Sequence, residues 1–285
     1  MRPNYKNIVE RRLKSLKYRA KYLLQPIADL NTDVREQKIV VSLTTYGRRI
    51  YNVDLTIRSL LNQTYKPDVI ILNLAHKEFN NNNIPNKLKR LEKYGLLINY
   101  TDDLLSYKKL IPTLSLYPDD LIITVDDDVL YPNFLIENLI NAYNENPKKI
   151  YGYRGYTILH NNQQIAPYKK WEKCKKDKSG MNIMLTGVGG VLYWPGCFHP
   201  DLLRQDLFMS LAPTADDIWF KIMTTLNNVP NHCIKCNGRF KKNFLYTNNS
   251  SVKPLNIKNK AQGQNDIVIK SMLTHYPDLI EKLKV

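Results

Sequence analysis

The sequence is short of the features that staple or anchor a small fold. It holds 4 cysteines in 285 residues, too few for a disulfide scaffold. Cys233 and Cys236 form a lone C-x-x-C with no second pair and no histidine at zinc spacing, which reads as reduced cytosolic thiols. No window approaches the roughly 18 apolar residues of a membrane-spanning helix. The N-terminus is basic but lacks the apolar core of a secretory signal. These absences set the expectation of a cytoplasmic protein. Acidic residues are also few: 26 Asp and Glu stand against 42 Lys and Arg, a net charge of +16. Such a balance suits a nucleic acid, an acidic lipid or a phosphorylated substrate, and says nothing about fold. Nucleic acid is the least supported of the three, because no helix-turn-helix, zinc-finger or RNP pattern is visible. With 43% hydrophobic residues, a chain of this length can bury a sizeable core unaided.

Three stretches are distinguished: a basic N-terminal helical segment (1–36), an α/β core (37–228) and a basic C-terminal segment (229–285). In the first, Val9, Leu13, Leu16, Ala20, Leu23 and Ile27 recur at spacings of four and three, one apolar stripe on a helix. Arg11, Arg12, Lys14, Lys17, Arg19 and Lys21 occupy its other faces. Two readings stay open. The stripe packs on the main domain, or the helix lies on an anionic membrane surface, making the protein peripheral to it. Pro26 ends or kinks that helix.

From Lys38 onward, strands alternate with helices. Lys38–Thr44, Asp68–Leu74, Leu96–Tyr100 and Leu121–Val125 read as buried strands. Asn52–Gln63, Asn86–Tyr94, Tyr107–Leu116 and Asn133–Asn144 read as helices, with Pro112 a blemish in the third. The pattern predicts a mostly parallel sheet covered on both faces. Ligands of such sheets bind beyond the carboxyl ends of the strands, so the residues after each strand matter most.

The first strand ends in Thr44-Thr45-Tyr46-Gly47-Arg48-Arg49, either a ligand-binding end or a plain turn. The fourth ends in Asp126-Asp127-Asp128, the strongest feature of the chain. Residues i and i+2 of an extended segment point the same way, which pairs Asp126 with Asp128. Two convergent carboxylates at the end of an apolar strand repel, and a divalent cation relieves them. Hard oxygen ligands favour Mg2+ or Mn2+, with positions left for substrate phosphates. Thr186–Tyr193 carries glycines that permit close backbone approach. Asp216 and Asp217 then open a helix over Asp217–Leu226, where Thr214 or Asp216 is the expected cap. A carboxylate there can serve as a general base.

The segments VSLTTYGRR, SYKKLIPTL, ITVDDDVLYP, TGVGGVLYWP and APTADDIWF, in this order, resemble bacterial glycosyltransferases of the GT-A fold, nearest to the inverting family-2-like enzymes of surface polysaccharide synthesis. The resemblance spans roughly residues 38–225 and implies a Rossmann-like, mixed, mostly parallel sheet flanked by helices. It also implies a metal-dependent transfer from a nucleoside-diphosphate sugar, with UDP the expected nucleotide, to a hydroxyl of a glycan or lipid-linked acceptor. Thr44, Thr45 and Tyr46 match the segment lining the base, and Arg48 the diphosphate contact. Asp102 or Asp103 matches the base or ribose contact, and one of Lys108 and Lys109 touches the nucleotide. Asp126, Asp127 and Asp128 match the D-x-D motif, with Asp126 holding ribose or a metal-bound water, Asp128 ligating the metal and Asp127 on the donor. Gly189 and Gly190 match the loop near the donor sugar. Asp217 matches the catalytic base, with Asp216 as neighbour or substitute. Related enzymes often add a histidine metal ligand from the C-terminal third; among His160, His199, His232 and His275, His232 is carried forward.

A competing reading is a phosphohydrolase of the haloacid-dehalogenase type, which also places D-x-D after a strand. Its nucleophile follows the first strand, however, whereas here three strand–helix units precede Asp126. In the C-terminal third, Lys235, Arg239, Lys241, Lys242, Lys253, Lys258 and Lys260 form either a solvated face or a rim for an anionic acceptor. Gln262–Tyr276 reads as a closing helix capped by Asn265 or Asp266. Tyr168 and Trp171, in a lysine-rich loop, either stack on a sugar or anchor a lid.

Overall fold

The computed structural model describes residues 13, 16, 17, 19–161, 164–247 and 263–284. Its first four strands are β1 (Ile39–Thr44), β2 (Val69–Ala75), β3 (Leu96–Thr101) and β4 (Leu121–Thr124). There follow β5 (Val129–Leu130), β6 (Ile150–Gly152), β7 (Gly155–Thr157), β8 (His160–Asn161) and β9 (Gln164–Ile165). The remainder are β10 (Glu172–Lys173), β11 (Lys178–Gly180), β12 (Ile183–Leu185), β13 (Val191–Tyr193), β14 (Asn231–Cys233) and β15 (Leu245–Tyr246). Eight of them make one sheet in the order β11-β14-β6-β13-β4-β1-β2-β3. β1 is parallel to β2 and β4, β2 to β3, and β14 to β6. β13 runs antiparallel between β4 and β6, and β11 is antiparallel at the edge. The architecture is thus α/β, a mixed and mostly parallel sheet flanked by helices.

Alternation along β1 sends Ile39, Val41 and Leu43 into one apolar cluster and Val40 into the other. The first cluster is shared with the helices Val53–Leu61 and Leu135–Glu145. The second is shared with Gln205–Leu211, Asp216–Leu226 and Gln264–His275, through Phe208, Trp219 and Met272. A one-residue slip would reverse every assignment, so burial on both faces fixes the register. Between the apolar layers, Asn73 donates to Ser42 Oγ and Thr113 Oγ1 at 3.1 and 2.9 Å, and accepts from Asn99 at 2.7 Å. That buried polar seam ties β1, β2 and β3 to the helix Ile111–Leu116 beneath the strand ends.

Several expectations are corrected. Tyr107–Leu116 is two elements, a 3-10 turn Leu105–Lys109 and the helix Ile111–Leu116. Pro112 sits in the first turn of the latter, where no partner for its missing N–H is needed. Neither Thr214 nor Asp216 caps the helix Asp216–Leu226; Ala215 occupies the cap, because Asp216 is turned to another partner. Gly263, in the left-handed region at φ 69°, caps Gln264–His275, and Asp266 accepts from the Tyr168 amide at 2.7 Å. Tyr168 and Trp171 are buried against each other, with ring centroids 4.7 Å apart, so neither presents a face to a sugar.

Residues 19–24 are helical, but the leucines of the apolar stripe do not pack on the domain. Leu13, Leu16, Ala20 and Leu23 are exposed, while Tyr22 alone is buried there, against Leu55, Leu130 and Leu245. Ile27 is half-buried against the main core, and Val9 lies outside the described residues. Among the described residues, no helix is long and apolar enough to cross a membrane.

Candidate active site

The carboxyl ends of β1 and β4 lie side by side because the two strands pair in parallel, with Ser42 opposite Thr124. Thr44-Thr45-Tyr46 therefore emerges beside Val125-Asp126-Asp127-Asp128. Asp127 points inward: its carboxylate accepts from Thr45 Oγ1 at 2.5 Å and from Arg49 Nε at 2.9 Å, with a second ion-pair contact from Arg49 Nη2. Arg49 also reaches Asp128 Oδ2 at 2.9 Å. Burial works against this guanidinium, but Asp127 and Asp128 outweigh it and hold its pKa above the ordinary value. Thr45 and Asp127 are thus an internal pair that braces the strand ends, not groups presented to a ligand. Arg48 is exposed, whereas Arg49 makes the ion pairs. The sequence reading named Arg48 for a diphosphate and gave Arg49 no role, since position alone does not say which one turns inward.

Asp126 faces the other way, towards the helix Asp216–Leu226. The buried ammonium of Lys109, 5% exposed, lies 2.6 Å from Asp216 Oδ2, 3.3 Å from Asp217 Oδ1 and 3.6 Å from Asp126 Oδ1. Burial opposes its charge, but the three carboxylates outweigh it, so Lys109 stays protonated well beyond the ordinary lysine range. Asp216 also accepts from Ser106 Oγ at 2.8 Å. Asp217 Oδ1 accepts from the Gly187 amide at 3.1 Å. Burial pushes Asp217 up to about 6, against the downward pull of Lys109. Asp126 and Asp128 are likewise raised by burial, and each is partly held down by a cation, Lys109 and Arg49 respectively. Asp126 is raised further by the negative charge of Asp128, which places the two carboxylates within each other's field.

Gly187 closes one side of this cluster. A Cβ there would stand 2.6 Å from Lys109 Nζ and 2.8 Å from Asp126 Oδ1. Gly187→Ala must therefore displace an ammonium that three carboxylates hold. It is expected to abolish most activity while costing only about 1–3 kcal/mol of stability. Thermal melting and turnover, measured on the same preparation, check this; an alanine variant with full turnover would refute it. The sequence reading had favoured Gly189 and Gly190. Gly189 instead lies against the Tyr153–Arg154 backbone, and Gly190, at φ 70°, packs on Leu135. Which glycine of the run meets the carboxylates depends on the 3-10 turn Gly187–Gly189, which spacing does not reveal.

Of the other candidates, Lys108 pairs with Asp103, and Asp102 with His76 at 3.3 Å. Thr44 Oγ1 donates to the Asn73 carbonyl at 2.7 Å, and the Tyr46 ring lies 5.3 Å from the Arg49 guanidinium. His232 is not brought to the cluster. It sits on β14, separated from β4 by β6 and β13, and binds Ser179 at 2.6 Å beside Asp177. There it lines a separate cavity of about 400 Å3 with Tyr153, Glu145 and Asn138. Cys233 and Cys236 are both free thiols. Two further contacts at the strand end were not read from the sequence. Tyr131 accepts the Asp126 amide at 2.8 Å, and the Thr247 amide donates to the Asp128 carbonyl at 2.8 Å, continuing the β15–β5 pairing.

Asp126 and Asp128 are charged oxygen donors of the kind a hard divalent cation takes. Asp127 and Asp128 form a turn rather than an extension of β4, however, so the expected i, i+2 pairing on one face is not what brings them near each other: Asp126 reaches Lys109 and Asp128 reaches Arg49. Among the described residues, no group of three or more His, Cys, Asp or Glu is arranged to hold an ion by itself. A cation here would need substrate oxygens or water to complete its shell, the usual state of Mg2+ at phosphate-bearing sites.

No protein-family model matches the sequence, and no curated protein matches it. Among solved structures, mannosyltransferase PcManGT from Pyrobaculum calidifontis, in complex with GDP-Man and Mn2+, matches at 13% identity and a TM-score of 0.45. The match covers 81% of this chain and 64% of that one, so the chain spans less than two thirds of the length of its neighbour.

Proposed function

We propose that the protein is a metal-dependent glycosyltransferase, moving a sugar from a nucleoside diphosphate to a hydroxyl of a glycan or lipid-linked acceptor. The observation that carries this reading is the meeting of the two acidic clusters. Asp126, from the end of β4, and Asp216 and Asp217, from the start of a helix distant in sequence, converge on the single ammonium of Lys109. Asp217 is the base. Its side chain is 30% exposed against 12% for Asp216, and only its Oδ1 is engaged by Gly187 and Lys109. Asp217 takes the acceptor proton as the acceptor oxygen bonds to the anomeric carbon. The bond from that carbon to the diphosphate oxygen breaks on the opposite face, so configuration inverts. A divalent cation held by Asp126 and Asp128 would supply charge neutralisation for the departing diphosphate. Arg49 holds Asp128 in place for that task through its 2.9 Å contact. UDP as the nucleotide, and surface polysaccharide as the setting, rest on the sequence resemblance alone.

Calorimetric titration with UDP, GDP, ADP and CDP, with and without Mn2+, tests the reading. One diphosphate is expected to bind with metal-enhanced affinity, and Asp128→Ala to remove the metal dependence with at least a tenfold loss, of order 1–2 kcal/mol. Release of inorganic phosphate from a generic phosphomonoester, with no diphosphate bound, would favour the phosphohydrolase instead.

A further inference from the structure

Past the end of β6 lies a cation that, among the described residues, no carboxylate claims. Arg154 occupies the turn between β6 and β7, and its carbonyl accepts the Thr186 amide at 2.9 Å. A Cβ on Gly189 would stand 2.6 Å from its nitrogen, so the Arg154 backbone is locked to the same glycine turn whose Gly187 touches Lys109 and Asp126. Its guanidinium carbon lies 5.7 Å from the ring centre of Tyr156 and 5.9 Å from that of Phe240, and Nη2 donates to the Tyr156 hydroxyl at 3.1 Å. The neighbouring cations are all spent: Arg49 on Asp127 and Asp128, Lys109 on three carboxylates, Lys108 on Asp103. Among the described residues Arg154 makes no ion pair. Residues 248–262 carry three lysines and no acid, and Glu10 is the sole acidic side chain outside the described residues.

β4 and β6 both run antiparallel to β13, so Arg154, just past β6, emerges at the same edge of the sheet as Asp126, just past β4. The Tyr246 phenol, raised chiefly by burial, feels Arg154 together with Asp126 and Asp128. The Tyr168 phenol, also raised chiefly by burial, feels Arg154 together with Asp217. Arg154 therefore stands on the β6 flank of the acidic cluster, against the same glycine turn. The expected nucleotide residues follow β1 and β3, on the other side of β4 in the sheet order. An anion bound at Arg154 thus enters from the side away from the nucleotide. The rigid guanidinium fork suits two-point binding of phosphate or carboxylate, and its ring contacts limit the freedom it would lose.

We propose that Arg154 reads an anionic group, a phosphate or a carboxylate, carried by the acceptor glycan, so that acidic acceptors are preferred over neutral ones. The inference rests on the glycosyl-transfer reading above. Its test uses saturation-transfer NMR on the full chain with saturating nucleoside diphosphate and Mg2+, with methyl glucoside, glucuronic acid and glucose 6-phosphate as probes. At least one anionic probe is expected to bind tenfold or more tightly than methyl glucoside. Arg154→Gln should erase that difference, Arg154→Lys should restore part of it, and both should keep the nucleotide affinity and melting temperature of the parent. Equal binding of neutral and anionic probes, no binding of either anionic probe, or a preference that survives Arg154→Gln would overturn the proposal. So would a tenfold loss of nucleotide affinity in Arg154→Gln, which would assign the residue to the donor. Failure of the parent protein to bind any nucleoside diphosphate is a separate result, and it would sink the glycosyl-transfer reading itself.

Discussion

Asp217→Asn is expected to lower turnover by about a hundred- to ten-thousand-fold while leaving metal-dependent nucleotide binding within about twofold of the parent, the signature of a lost general base. Amide replaces carboxylate at nearly constant shape. The contact of Oδ1 with the Gly187 amide can survive, and the donor-side groups Arg49 and Asp128 are untouched. What disappears is a proton acceptor. Because burial sets the Asp217 carboxyl to about 6, the parent rate should climb as pH rises through that region, where the base loses its proton. The residual rate of the asparagine variant should lack that limb. Asp216→Asn separates the two acids. Asp216 is the more enclosed, held by Ser106 at 2.8 Å and Lys109 at 2.6 Å, so its loss should lower stability and turnover together. If instead Asp216→Asn removed the acid limb at unchanged stability and Asp217→Asn kept full turnover, the roles would be exchanged.

How much of this was legible in the sequence differs from element to element. The four parallel strands β1 to β4 were, because runs such as Ile39–Thr44 and Leu121–Thr124 must be buried on both faces, and continuous β-branched apolar segments have few other uses, whereas the short strands after β4 were not read. The acidic clusters were visible as compositional oddities at the borders of apolar runs. Their meeting was not, for it depends on β13 reversing direction beside β4 and on Lys109 reaching across from a 3-10 turn. Nor does any local pattern distinguish Arg49 from Arg48, or Gly187 from Gly189. A neighbour in sequence can face the opposite way, and the deciding contact comes from far along the chain. The closing helix shows the same limit. Gly263 caps it, while Asp266, a good cap by type, is drawn off by the Tyr168 amide. The N-terminal stripe shows another limit. Its period correctly indicates a helix over residues 19–24, yet amphipathicity alone does not name the surface that covers it, and here the leucines stay exposed.

Lys109 shows how the fold and the site depend on one group, and Lys109→Met should show it most severely. The side chain is of similar length and apolar, so packing is nearly kept, but three carboxylates lose their shared counter-ion. Breaking a buried ion pair from one side costs about 3–5 kcal/mol, because the remaining charge is left uncompensated. The sign of the pH dependence follows. Burial already raises Asp126 and Asp217, and Lys109 is the largest opposing influence on both. Without it both carboxyls rise further in the folded state while remaining ordinary in the unfolded chain. A group whose folded pKa exceeds its unfolded value is bound to its proton more tightly when folded, so stability is present at low pH and lost as pH rises through the folded value. Lys109→Met should accordingly unfold at much lower urea at pH 8 than the parent, and recover much of the difference at pH 5. A deficit equal at both pH values would mean that the loss is one of packing, and that the ammonium does not hold the acidic cluster together. Turnover should be absent at either pH. At pH 5 the base is protonated, and at pH 8 the repelling carboxylates no longer converge on the strand end where donor and acceptor must meet.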